Sequence, residues 1–157
     1  MTRRSQRSIL LFWAPLAATW VMMALEGPFL AAVIGRLPDE VFNLAAFGVM
    51  LAFAFIIESP VVMLMTASTA LARDRDSFRR LRRFAYVLNT FVTVTLLVVL
   101  IPGVFNFLAA DVMALPGEVV SLAYGALWIL LPWPASIGYR RFTQGLLIRE
   151  GRTRLVA

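Results

Sequence analysis

Two acids set inside long apolar stretches are the residues of this chain best placed to do chemistry. They occur in a repeated pattern, Glu26-Gly27-Pro28 and Glu58-Ser59-Pro60. A carboxylate in hydrocarbon is costly, and such residues commonly mark ion or substrate pathways. Proline lacks an N–H and unpairs the carbonyl four residues before it. Pro28 would thereby free the carbonyl of Ala24, and Pro60 that of Ile56. A carboxylate beside a freed carbonyl is a cage for a proton or Na⁺, as at the discontinuous helices of transporters. Desolvation disfavours the charged form, so such an acid would take up and release a proton. The plainer alternative is a neutral glutamate that bonds a neighbouring helix.

The other polar residues inside apolar stretches are fewer. Thr66 and Thr69 lie one turn apart with Ser68 beside them, and Asn89 and Thr93 form an i, i+4 pair. Together they would make one seam between two helices, either as hydrogen-bonded packing or as the wall of a polar cavity. Met22, Met23, Met63 and Met65 add adaptable apolar surface near the acids. Leu131-Pro132-Trp133-Pro134 must bend or break a helix, as a static kink or a hinge. Pro28 and Pro60 join Pro132 and Pro134 as hinge candidates. Trp13, Trp20, Trp128 and Trp133 are scattered, with interfacial anchoring as their expected use.

The elements that position these residues follow from composition. The chain is 61% hydrophobic and 15% charged over 157 residues, against about a quarter charged in soluble domains. Four apolar segments run from about 9 to 34, 42 to 72, 84 to 110, and 119 to 137, the last continuing toward 148. Each has the ~20 residues that a helix needs to cross a bilayer. Backbone groups in lipid must pair internally, so the expected fold is all-α, a polytopic bundle of four transmembrane helices in one membrane domain. A β-barrel would need alternation of polar and apolar residues, which is absent.

All fifteen basic residues are arginine, and the net charge is +6. Arg3, Arg4 and Arg7 precede the first segment, six arginines lie between Arg73 and Arg83, and Arg140, Arg141, Arg149, Arg152 and Arg154 follow the fourth. Fourteen of the fifteen therefore fall on one side. The positive-inside rule places both termini in the cytoplasm of a cell that carries the protein in its inner membrane. The first segment is too long for a signal peptide and holds Glu26, so it reads as a retained span. Glu26 lies about eight residues from the outer end of its segment and Glu58 near the middle of the next. Antiparallel neighbours would hold the two at comparable depth. Between the second and third segments the charges alternate and then turn basic, with Asp76 as the expected cap of the helix that follows. Arg79, Arg80, Arg82, Arg83, Arg140 and Arg141 would meet lipid headgroups or gather an anionic substrate.

The chain has neither cysteine nor histidine. Disulfides, Cys or His metal sites and His-based catalysis are excluded. There is no phosphate-binding glycine loop, dinucleotide fingerprint or zinc-protease motif, and no case for an enzyme, a metal, a cofactor or a nucleic-acid partner.

Several stretches carry a family likeness. They are Phe12-Trp13-Ala14-Pro15-Leu16-Ala17, Leu25-Glu26-Gly27-Pro28, Ile57-Glu58-Ser59-Pro60 and Asp74-Arg75-Asp76 with the arginines after it. Beyond the fourth segment come Arg140, Gln144-Gly145 and Gly151-Arg152-Thr153. In this order they resemble the multidrug/oligosaccharidyl-lipid/polysaccharide exporter superfamily, which includes the MATE transporters, and most of all bacterial relatives of the progressive ankylosis protein. The resemblance implies part of the first lobe of a two-lobed, alternating-access exporter, with Glu26 and Glu58 carrying the coupling proton or Na⁺. It implies export of a small anionic solute such as pyrophosphate, or flipping of a lipid-linked substrate. Ala157 falls where a fifth span would begin, so the resemblance also implies a fragment of a longer transporter, or a short form completed by a second half or another copy. The alternative is a four-helix membrane module that assembles with a partner and transports nothing.

Overall fold

The computed structural model describes residues 6–156, apart from the side chains of Arg7, Ser8, Leu11 and Arg154. Arg3 and Arg4, part of the orientation signal, lie outside the described residues.

The described residues form helices and connecting turns. Helix α1 spans Gln6–Ile34 and runs unbroken through Pro15 and Pro28. After a short turn, α2 spans Glu40–Val62, with Glu40 in its first turn where a carboxylate suits the positive helix end. Asn43 Nδ2 donates to the Pro38 carbonyl at 2.8 Å and holds the turn onto the helix. A one-residue irregularity at Met63 separates α2 from α3, Leu64–Leu71. Helix α4 spans Arg75–Val99. Its cap is Asp74 rather than Asp76: Asp74 has extended backbone, and its Oδ1 accepts from the Ser77 N–H at 2.7 Å. Asp76, inside the first turn, can only complement the helix dipole.

The third apolar segment is not one helix. It ends at Leu100–Ile101, because Pro102 cannot supply the N–H that would continue it. A short helix α5, Pro102–Asn106, and a π-helical turn, Phe107–Val112, follow. Helix α6 spans Gly117–Ile129 and α7 spans Trp133–Arg149, with a 46° bend between them at Leu130–Pro132. A 3₁₀ turn, Thr153–Leu155, ends the described chain.

Three stretches are long and apolar enough to cross a membrane: Phe12–Ile34, Glu40–Leu71 and Arg75–Val99. The bent pair α6–α7 makes a fourth if it is one span. Helices α2 to α7 share the core, where Val61, Leu64, Val92, Phe105, Ala123 and Leu127 are fully or almost fully buried and Ile137 and Phe142 of α7 are buried. Phe105 anchors its centre, with ring centroids 5.9 Å from Phe53 and 5.2 Å from Tyr124. The Tyr124 hydroxyl donates to the Leu100 carbonyl at 3.1 Å, pairing a group left open by the helix end.

Helix α7 is gripped between α3 and α4 through two glycines two turns apart. A Cβ at Gly138 would collide with the Asn89 side chain, and one at Gly145 with Ser68 and the Met65 carbonyl. Thr69 Oγ1 reaches the Gly145 carbonyl at 3.1 Å in the same contact. Helix α1 is different. Its most apolar window is 0% buried, and it leans on α2 and the C-terminal turn while standing off from α7.

Candidate functional site

Glu58 is 9% exposed, on the face of α2 that meets α7. Trp133 Nε1 donates to its Oε2 at 2.7 Å. The bend produces this contact, since Trp133 is the first residue of α7 after Pro132 and the break turns its indole toward α2. Two turns along the same face of α7 comes Arg141, 6% exposed and near enough to Glu58 for their charges to interact. Its guanidinium lies 5.3 Å from the centroid of the Trp20 ring of α1, a favourable stack for a cation. Arg141 Nε has no hydrogen-bond partner.

Glu26 lies elsewhere. It is exposed, on the side of α1 that faces a cleft of about 660 Å³ between α1 and α7. Met23, Arg140, Thr143 and Gln144 also line the cleft, and Leu155 and Val156 of the C-terminal turn close one end. Arg140 Nη2 approaches Met23 Sδ at 3.0 Å. Gln144 is 6% exposed, and its Oε1 has no partner.

Glu26 and Glu58 therefore stand in different surroundings. Glu58 is drawn into the α2–α7 contact by Trp133, whereas α1 stands apart and leaves Glu26 on the cleft. The freed-carbonyl cage is revised. Ser59 Oγ donates to the Ile56 carbonyl at 2.9 Å, so the serine of the Glu-Ser-Pro motif satisfies the oxygen that Pro60 unpairs. Hydroxyls commonly repair proline breaks in this way. Gly27, at the equivalent place in the other motif, has no hydroxyl to offer.

The single polar seam divides into two, both on α7. Thr69 is committed to the Met65 and Gly145 carbonyls, and Thr66 points outward. Thr93 Oγ1 donates to the Asn89 carbonyl at 2.8 Å. Asn89 lines a smaller cavity of about 300 Å³ between α4 and α7, with Phe78, Arg82 and Tyr139, and its Oδ1 is buried without a partner. The cause is α7, which inserts between the helices expected to meet. Arg79, Arg80, Arg82 and Arg83 are exposed along the first turns of α4, with Arg82 stacked 5.5 Å from the Phe78 ring. Arg140 and Arg141 lie inside α7, about 13 Å and 12 Å before its end at Arg149, in keeping with a fourth segment that continues toward 148. Arg141 is buried and so is no headgroup ligand on a surface.

Trp133 and Gln144 were missed as site residues. Trp133 was grouped with interfacial aromatics, although its two flanking prolines are a local signal that its orientation is fixed. Gln144 precedes Gly145, the residue that lets α7 press against α3. Among the described residues no three Asp or Glu side chains are grouped to hold a metal ion.

These features define an all-helical chain with three or four candidate membrane spans and charged side chains buried between them. Comparison with protein-family models, with curated proteins and with solved structures finds no match.

Proposed function

We propose that this chain is transport machinery of a membrane, moving a small charged solute outward in exchange for a proton or Na⁺. The observation that carries this reading is Glu58, an acid buried among candidate spans and tied to Trp133 at the α6–α7 bend. An ionisable group there couples its own occupancy to the angle of a bent helix pair. Protonation removes the charge that Trp133 and Arg141 face, and the bend loses part of what holds it. The Trp133 N–H already takes one of the two carboxylate oxygens, which leaves few acceptors for Na⁺ and favours a proton as the coupling cation. The cleft between α1 and α7, with Glu26 and Arg140 in its walls, is the solute site. The likeness of its motifs to those of MATE-type and progressive ankylosis-like exporters supports the same direction of transport.

The test is efflux from vesicles with an imposed proton or Na⁺ gradient. Glu58→Gln is expected to abolish the gradient dependence while the protein remains folded. Gradient-driven flux that survives this change unaltered would overturn the coupling role. A second reading rests on α1, whose apolar window has no buried residue: a membrane module that assembles through this helix and transports nothing. A stable complex with another membrane protein, together with no flux in any gradient, would select it.

A further inference from the structure

The cleft between α1 and α7 carries charges of both signs that are not spent on each other. Among the described residues the ion pair is Arg152 with Glu150, so neither Glu26 nor Arg140 belongs to one. Arg140 instead meets the thioether of Met23, a weak acceptor that leaves the guanidinium's donors nearly unused. Met23 lies three residues before Glu26 on α1, a rise of about 4.5 Å. A carboxylate and a guanidinium thus line one cavity about one helical turn apart. Gln144, more than nine-tenths buried and lining the same cleft, adds an amide whose oxygen has no partner.

We infer that this cleft binds a small zwitterion in which an ammonium and an anionic phosphate or carboxylate are joined by a short link. The ammonium donates to Glu26. The anionic group accepts from Arg140, for which planar guanidinium donors are well suited. A cation alone would leave Arg140 unmatched, and an anion alone would leave Glu26 repelling it. A volume of about 660 Å³ admits a headgroup-sized ligand, within the range of small-molecule sites. The same chemistry occurs in a free amino-phosphate and in an ethanolamine phospholipid headgroup. The gap beside α1, whose Met22 and Leu25 are exposed, gives a lipid a lateral way in.

The inference deepens the transport reading, but its test measures binding and needs no flux. The full chain in an uncharged maltoside micelle is titrated with phosphoethanolamine and with short-chain phosphatidylethanolamine. Inorganic phosphate, ethanolamine and short-chain phosphatidylglycerol serve as single-charge probes. Tryptophan emission is the readout, since Trp20 stacks on Arg141 beside the cleft. A zwitterion is expected to bind saturably and about tenfold or more tighter than any single-charge probe. Binding by both zwitterions identifies a soluble source, and binding by the lipid alone identifies a headgroup. Glu26→Gln and Arg140→Gln should each weaken the zwitterion about tenfold, whereas phosphate should be weakened by Arg140→Gln and strengthened by Glu26→Gln, which removes the repulsion. The exchanged pair, Glu26→Arg with Arg140→Glu, should recover binding and so guards against simple misfolding. Equal affinity for phosphatidylglycerol, unchanged affinity in Glu26→Gln, or no saturable binding by either zwitterion would overturn the inference. Gradient-driven flux without zwitterion binding would remove this inference and leave the coupling role of Glu58 standing. Binding without flux would do the reverse.

Discussion

At the scale of single residues, the strongest local constraint is the Trp133–Glu58 hydrogen bond. Trp133→Phe keeps the ring and removes the donor, which leaves a buried carboxylate short of a partner. The expected loss is about 1–3 kcal/mol of stability, read as a lower unfolding temperature in detergent, and Glu58→Gln in the same background should recover much of it. Additive losses in the double variant would show that the two side chains do not act together. Asp74 offers a contrasting case in water. The Ser77 backbone N–H holds its carboxyl below the ordinary carboxylate range. Its folded-state value is depressed, so its contribution is present at neutral pH and fades as pH falls through that value. Asp74→Ala should therefore lower the unfolding temperature at pH 7 and make no difference at strongly acid pH. Both acids of the Glu-x-Pro pattern could be named from sequence, because a charge inside an apolar run is conspicuous in one dimension. That Ser59 closes the Ile56 carbonyl is a local relation and was equally available. Trp133 as the partner of Glu58 was not, since the two are 75 residues apart and meet only through packing.

At the scale of elements, α7 organises the bundle, and its two glycines are the means. The contacts differ in kind. At Gly138 the obstacle is the end of the Asn89 side chain, which can rotate, whereas at Gly145 it includes the Met65 backbone carbonyl, which cannot. Gly145→Ala should thus cost more than Gly138→Ala, with overpacking losses of about 1–3 kcal/mol. Gly125→Ala in α6, where nothing lies within 4 Å, should be neutral or gain up to about 1 kcal/mol from helix propensity. Thermal unfolding of the three variants checks the order, and equal effects at Gly145 and Gly125 would contradict the close approach of α7 to α3. The four apolar segments were legible because hydrocarbon-spanning length leaves an unmistakable run. The break at Pro102 was hidden by the same apolarity, which continues past the proline into α5 with no polar residue before Asn106 to mark the stop. The prolines at 132 and 134 signalled their bend, and the apolar run pointed to a continuation toward 148, but neither signalled the burial of Arg141 against α2 and α1.

At the scale of the whole molecule, the open question of physical consequence is whether α6 and α7 cross a bilayer together or return to the side they entered. Together they pass the length and hydropathy test for one span, but with a 46° bend at a three-residue break. The absence of cysteine from the chain makes this measurable without a background to remove. Single cysteines at Arg36 and Glu118 occupy exposed sites near the turn into α2 and at the start of α6; Asp76 and Glu150 provide exposed sites at the start of α4 and just beyond α7. If the bent pair is a span, a membrane-impermeant maleimide should label Arg36→Cys and Glu118→Cys from one side, and Asp76→Cys and Glu150→Cys from the other. If it re-enters, Glu150→Cys should label with Glu118→Cys. The contact of Arg149 Nη1 with the Thr69 carbonyl at 3.2 Å favours the crossing. It holds the end of α7 beside the end of α3, and only a few residues of chain separate α3 from the start of α4. Glu150→Cys is therefore expected to label with Asp76→Cys, and labelling together with Glu118→Cys would overturn the crossing.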